Sequence, residues 1–577
     1  MYLDFLVEIP DVQGKITRRK KGGTTYINYE YGRVYDPKRQ YNTPLRSTIG
    51  KQDEADDTKM FPNQNFLQHF PDIELPQEKG LALRSSCLKV GSFLVIRKII
   101  AGYCLDAMVE RIIGRDSGLF LDLAAYSIIC ENNAGQYYPD FAYNHPLFTR
   151  AMRMYSDSKV SDFLQSVTTD QSVAFLNEWN GKRNHRERIY ISYDSTNKNC
   201  QAGDIEMLEY GKPKDDHGVR IFNYAIAYDT DNREPLFYEE YPGSIVDVSQ
   251  LQYMLEKAKA YGYKKVGFIL DRGYFSKPNI QFMDSCGYDF VIMVKGMGNL
   301  VSSLITERQG TFEKDRLCSI WEHHVYGTTV RRQLYEGDTS DRYFHLFHSI
   351  SKEHAERDAL EVKIAHMSAL LKRNEGEVVS FSKAYAEYFD LYYNEDGKRF
   401  LFAKEKAAII EREISLCGYF SIVTSARMTA REAIGLYKSR DASEKLFRGD
   451  KSYLGNKSLR VYSDESASAK IFIEFVALII RSKIYTSLKD EVLENDREAN
   501  YMTVPAALKE LDKIEMVRQS DGVYRLGHAV TATQKAILKA FDVDEPYIRA
   551  KAKALGEEIT TANKTKPNRE EKSPWQE

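Results

Sequence analysis

The 577-residue chain has no long apolar run: its most hydrophobic stretch, Ile471 to Ile480, is interrupted by Glu474 and is about half the ~20 residues a bilayer span needs. No membrane-spanning segment is expected. The opening MYLDFLVEIP carries Asp4 and Glu8 among its apolar residues and has no basic leading segment, so no secretory signal is read there and the expected compartment is the cytoplasm. The seven cysteines are odd in number, scattered and without a C-x-x-C pair, which excludes a disulfide framework and a zinc ribbon. Charge of one sign is not in excess either, since 81 Lys and Arg face 83 Asp and Glu. Any polyanionic partner must therefore be met by local patches. No G-x4-G-K-[ST] run occurs, so no nucleotide-hydrolysing loop is implied. Repeats of 20 to 50 residues are absent as well.

What is present is a globular composition, 43% hydrophobic, 12% aromatic and 28% charged, and a length that calls for two to four domains or one large domain with insertions. Two windows depart from neutrality. Residues 1–51 hold ten Lys and Arg against five Asp and Glu, densest at KITRRKKGG, and residues 427–460 hold nine against four. A charged run is most often a solvated face.

The pattern along the chain divides it further. Residues 1–70 form a small basic element, β-rich because Tyr, Ile and Thr alternate with polar residues from 24 to 50. Residues 80–180 carry apolar residues at helical spacing, as a helical domain and candidate DNA-binding region. Between 186 and 296 the order becomes β-β-β-α-β-α-β: three strands with turn signals, an amphipathic helix, the buried strand KKVGFILDRGY, a helix capped by Ser276 with Pro278 in its first turn, and the buried strand DFVIMVKG. That is the order of an α/β, RNase H-like core, a mixed sheet flanked by helices. Residues 297–425 read as a long α+β insertion domain, in which Leu360, Ile364, Met367 and Leu371 form a packing stripe. Residues 426–490 supply core helices, the second apolar nearly all round and therefore buried. Residues 500–545 read helix, strand, Asp521–Gly522 turn, strand, helix, and the polar tail 550–577 reads as disordered.

Three carboxylates stand where this order gathers them: Asp194 ends the first strand, Asp271 ends the fourth, and Glu444 lies on a helix after the insert. They are 77 and 173 residues apart, so only the fold unites them. Clustered carboxylates repel unless cations neutralise them, which calls for Mg²⁺, with Mn²⁺ as substitute. Two such ions suit in-line phosphoryl displacement. Taken singly, each residue is as readily a turn, cap or solvated side chain. The setting of Glu444 is more specific. Tyr437, Arg440, Glu444 and Lys451 form Y-x2-R-x3-E-x6-K, and on a regular helix all four fall within a sector of ~60°. Arg440 and Lys451 suit phosphate, one by bidentate contact and the other as a point charge. Lys182, Arg183, Arg186 and Arg188, ahead of the first strand, are candidates to extend a basic surface. His323, His324, His345 and His348 read as ordinary histidines, because residues three apart on a strand face opposite sides.

With YDST around Asp194, LDRGYFSK around Asp271 and this signature, the sequence resembles the DDE transposases of bacterial insertion sequences, in the superfamily named for the YREK residues and the branch with a long insert before the glutamate. The resemblance covers about 186 to 490. It implies that Asp194, Asp271 and Glu444 bind two divalent metal ions, and that Tyr437, Arg440 and Lys451 lie near DNA. It also implies an enzyme that binds the terminal inverted repeats of its element, hydrolyses the DNA ends and joins the 3′-OH to target DNA. The partners would be double-stranded DNA and a second copy of the chain in the DNA complex, at the bacterial nucleoid, without membrane or nucleotide cofactor. A domesticated DNA-binding regulator and a stand-alone nuclease of the same fold are the alternatives.

Overall fold

Between Lys21 and Thr24 the chain reverses through Gly22 and Gly23, both at positive φ (56° and 82°). A two-residue turn of this hand matches the twist of the strands it joins. It opens a five-stranded antiparallel sheet made of Val7–Glu8, Ile16–Lys21, Thr24–Asp36, Tyr41–Gln52 and Lys59–Pro62. Val7, Ile27, Ile49, Met60 and Phe66 form its core. The basic run Arg18 to Lys21 occupies an edge strand and is exposed. Cations on an edge also block pairing with another chain.

The structure is a computed structural model that describes residues 2–3, 5–37, 40–71, 84–183, 187–200, 205–211, 218–245, 247–294, 298–338, 340–454, 457–495 and 502–564. The chain forms two compact units, one of residues 1–87 with 517–525, the other of 88–516 with 526–577. All seven cysteines are free. Among the described residues no helix is long and apolar enough to cross a membrane.

The larger unit is built on one mixed sheet. Its strands are β1 (Ile189–Asn199), β2 (Ile221–Asp229), β3 (Glu234–Pro242), β4 (Val266–Leu270), β5 (Asp289–Met293), β6 (Ser319–Ile320), β7 (Val325–Gln333), β8 (Asp341–His348) and β9 (Tyr419–Thr424). The spatial order is β6-β7-β8-β9-β5-β4-β1-β2-β3. Strands β1, β2 and β3 are antiparallel neighbours, while β4 runs parallel to both β1 and β5. Helices α1 (Asp247–Ala260) and α2 (Lys277–Ser285) make the connections around β4, and Ser276 caps α2 as expected, accepting from the Asn279 N–H.

Three expectations about boundaries change. The helices between 91 and 181 are not a body of their own. Phe120 and Phe175 meet Phe472 at ring distances of 4.8 and 5.2 Å, and Tyr238 on β3 meets Phe475 at 5.0 Å. A 32-residue helix, Asp464–Asn495, thus lies between the sheet and the helical layer, which explains why its sequence is apolar nearly all round. The insert, too, is only partly separate, because β6 to β9 continue the main sheet. A local core of Ile364, Met367, Leu371, Tyr388, Phe389, Phe400 and Ile410 belongs to the remainder. Finally, Glu545–Lys564 is helical, so the expected disorder does not hold for 550–564, and 565–577 lie outside the described residues. The elements anticipated between 504 and 539 are all present, with Val517–Arg525 belonging to the smaller unit.

Candidate active site at the β1–β4 edge

Parallel register places Tyr193 of β1 opposite Leu270 of β4, so Asp194 lies beside Asp271, the residue that follows the end of β4. Contrary to expectation Asp194 does not end its own strand, because β1 stays paired with β2 from Asp194 to Asn199. Asp271 keeps an extended backbone (φ −72°, ψ 159°) and precedes the turn Arg272–Tyr274 without making a side-chain cap bond. Its carboxylate is therefore not consumed by the turn. Asp194 accepts from the Ser195 N–H at 2.8 Å.

The glutamate is delivered by helix packing. Helix α3 (Ala430–Ser439) starts at a capping box in which Thr429 Oγ1 accepts from the Glu432 N–H and the Glu432 carboxylate accepts from the Thr429 N–H, at 3.2 and 2.7 Å; such boxes fix where a helix begins. Its stripe Ala430, Ile434 and Tyr437 buries against Ile269, Val291 and Ile422 of the sheet. Tyr437 thereby reaches the end of β4, where its hydroxyl donates to Asp271 Oδ1 at 3.3 Å. Burial is the first cause that pushes this phenol well above its ordinary value, and the neighbouring Asp271 carboxylate adds to it against the pull of Arg440. The group is a proton donor at neutral pH.

One turn on, Arg440 joins α3 to helix α4 (Asp441–Arg448). Its side chain is 14% exposed and forms ion pairs with Asp271 at 3.3 Å and Glu444 at 2.5 Å. Burial works against this charge, yet Tyr437, Asp271, Asp194 and Glu444 together outweigh it and hold the guanidinium above its ordinary value. The three carboxylates thus share one cation. Among the described residues no three potential ligands stand close enough to one point to hold a metal as they are. The donor set is nonetheless all carboxylate oxygen around a positive charge, the chemistry of Mg²⁺ or Mn²⁺.

The signature does not continue as a regular helix. After α4 comes a π turn, Gly449–Tyr453, closed by the Leu454 N–H on the Gly449 carbonyl at 3.1 Å; such turns are rare and concentrate at functional sites. The single-face projection holds as far as Glu444, and Lys451 lies within the π turn, half-buried. Its neighbour Asp450 is fully buried against Lys198 of β1 at 2.7 Å. Lys198 also meets Glu474 at 2.8 Å and lies over the Tyr224 ring at 4.5 Å. Lys198, Asp450 and Glu474 escape a motif-based reading. A signal existed in Glu474, an acid inside the apolar run Ile471 to Ile480, which demands a buried partner.

Other candidates are placed as follows. Lys182 pairs with Glu178, Arg183 with Glu234 and Arg188 with Asp289, so each cation is matched by a carboxylate, and Arg186 lies outside the described residues. His345 is bonded to Thr329 and Thr424 at 2.9 and 3.0 Å, and His348 to Glu353 at 3.0 Å. They are structural, facing different neighbours as strand alternation requires.

A mixed sheet that brings aspartates from two neighbouring strands and a helix glutamate around one cation defines a class of α/β proteins with an acidic site at the end of β4. Residues 187–480 match the family described as "Transposase DDE domain". That span is 294 of the 577 residues, and the chain belongs to this family of transposases, enzymes that cleave and join DNA. No curated protein matches the chain. Among solved structures it is similar to a piggyBac transposase synaptic complex with hairpin DNA, at 9% identity over 88% of this chain and 82% of that one, with a TM-score of 0.32. It is also similar to a Mos1 transposase paired-end complex with left transposon end, at 14% identity over 23% of this chain and 50% of that one, with a TM-score of 0.13.

Proposed function

We propose that the protein is the transposase of a bacterial insertion sequence of the YREK superfamily, with an RNase H-like core. In this reading it binds the terminal inverted repeats of its element as a homodimer at the nucleoid, hydrolyses the DNA ends and joins the 3′-OH to target DNA, using no nucleotide cofactor. The observation that carries the reading is the shared surroundings of Arg440: Asp271 and Glu444 in ion pairs, Asp194 acting on the same charge, and the Tyr437 hydroxyl on Asp271. The strand order of the sheet supports the fold assignment.

Asp194, Asp271 and Glu444 would hold two Mg²⁺ ions, or Mn²⁺, whose chemistry is to activate the attacking oxygen and stabilise the leaving one. The chain's own residues then have separate tasks. Tyr437 orients Asp271 by donating to one oxygen and leaves the other for a ligand. Arg440 presents a planar fork able to grip a phosphate once it leaves the carboxylates. Lys451 contributes a point charge further along the backbone of the DNA. Hydrolysis frees a 3′-OH, and in strand joining this oxygen attacks phosphorus in the target while the target's own 3′ oxygen departs.

The test is Mg²⁺-dependent nicking of a labelled duplex bearing an element end. Asp194→Asn and Asp271→Asn are each expected to abolish nicking while the melting temperature stays near that of wild type. Near-normal activity in either variant would overturn the assignment.

A further inference from the structure

The unit that carries Glu444 is fastened to the strand that carries Asp194 by a second set of charges, away from the site itself. Asp194 and Lys198 are four residues apart on β1 and so point to the same face. Lys198 is fully buried and spans two carboxylates, Asp450 at 2.7 Å and Glu474 at 2.8 Å. Asp450 sits in the π turn six residues after Glu444 and directly before Lys451. A further tie follows, since the Asn199 N–H donates to the Lys457 carbonyl at 3.1 Å and the Leu459 N–H returns to the Asn199 carbonyl at 3.1 Å. The end of β1 therefore holds the segment after α4 at two points.

Burial alone would strip the charge from Lys198, but Asp450 and Glu474 outweigh it and keep the ammonium charged. Breaking a buried pair is costly because it strands a charge, whereas the pair itself adds little net stability over apolar packing. Buried charges of this kind serve register better than they serve stability. The turn is also closely packed: a Cβ on Gly449 would run into the buried guanidinium of Arg481.

We propose that Lys198 and Asp450 are positioning residues. Their ion pair sets the π turn, and through it the placement of Glu444 over the β1–β4 edge and the outward direction of Lys451. The inference rests on the metal-binding reading of the triad given above. Glu474 provides the matched control, because it draws on the same lysine but stands on the long helix and not on the Glu444 segment.

The experiment measures Mn²⁺ binding to the full-length protein by titration calorimetry, with thermal melting alongside. Asp450→Asn leaves Lys198 paired one-to-one with Glu474 and is expected to weaken Mn²⁺ binding about tenfold, as loss of a group supporting a metal ligand does. Glu474→Gln is expected to lower the melting temperature by a similar amount yet keep wild-type Mn²⁺ affinity. Should Asp450→Asn fail to fold, Gly449→Ala, whose added Cβ crowds the turn against the Arg481 guanidinium while Lys198 and its two carboxylates stay intact, takes its place with the same expectation. Unchanged Mn²⁺ affinity in the variant that displaces the turn would overturn the proposal, and so would equal weakening by Glu474→Gln. Glu444→Gln separates the two levels. If it binds Mn²⁺ as well as wild type, the triad reading itself fails and the proposal with it.

Discussion

The Arg440 guanidinium lies 3.3 Å from the Asp271 carboxylate, although the two residues are 169 positions apart and sit on different elements. A cation already held among the carboxylates competes with any metal for the same oxygens. Arg440→Gln is therefore expected to bind Mn²⁺ several-fold more tightly than wild type in the absence of DNA, because one opposing charge has gone. Nicking should nonetheless fall, since the proposed phosphate grip would be lost. Titration calorimetry with and without duplex checks this, and Mn²⁺ affinity equal to or below that of wild type in the free protein would refute the competition.

Much of this arrangement is legible in the sequence, and the limits are physical. A strand-like pattern places β1, a continuous apolar run places β4, which is buried on both faces, and helical spacing places α3. Asp194, Asp271 and Glu444 are singled out because an acid after an apolar strand run and a helix face with an unusual residue set are local features, although nothing local shows that β1 runs on past Asp194 to Asn199. The π turn does not emerge, since a 100° projection assumes regular helical geometry. Nor does the Lys198–Asp450 pair, whose members are 252 residues apart and have no local pattern. The fusion of the helices between 91 and 181 with the sheet is equally silent: Phe120, Phe175 and Phe472 each read as core, but nothing local says that it is one core.

That shared core bears on truncation. Removing residues 1–180 would expose Phe472 and its neighbours on the 32-residue helix by taking away Phe120 and Phe175. The truncated chain is expected to lose cooperative thermal melting and to aggregate. A Phe472→Ala variant of the whole chain should lose ~3–5 kcal/mol in urea unfolding. A soluble fragment from 181 onward with a sharp melting transition would contradict the single core.

The edge strand Ile16–Lys21 offers a separate test of DNA contact. Among the described residues no ion pair involves Arg19, Lys20 or Lys21, and all three are exposed. If the three cations meet phosphates, replacing them together with glutamine should reduce the slope of log affinity against log salt by about 2 to 3. Affinity for random and element-end duplexes should fall alike, with melting unchanged. An unaltered slope would leave edge protection as the role of these residues.

His345 gives a prediction about pH. The ring is buried between Thr329 and Thr424, and burial pushes its pKa down from 6.5 to about 4. The folded protein holds it neutral, whereas the unfolded chain takes up a proton below pH 6.5. Its contribution to stability is therefore complete above pH 6.5, declines as the pH falls, and is spent near pH 4, a difference of about 3 kcal/mol across the window. His345→Gln, which retains a donor and an acceptor without titrating, should flatten that part of the profile. Urea midpoints between pH 4 and 7 for both proteins decide it, and parallel profiles would exclude His345 as the source.

The last expectation separates the two ends of the signature. Glu444→Gln removes a carboxylate from the proposed metal set and a negative charge from the proposed path of the DNA, so nicking should be lost while duplex binding stays equal or strengthens. Lys451 lies within the π turn, half-buried, with Asp450 anchored inward beside it. Its proposed partner is a phosphate. Lys451→Ala should weaken binding to element-end and random duplexes alike and lower the salt slope by about one, the signature of one lost phosphate contact. Asp450→Asn, by releasing the turn that directs Lys451, should reproduce part of that slope change without removing any cation. Titrations of the three variants at several salt concentrations test the set together: an unchanged slope in Lys451→Ala, or continued nicking in Glu444→Gln, would refute the division of labour along this segment.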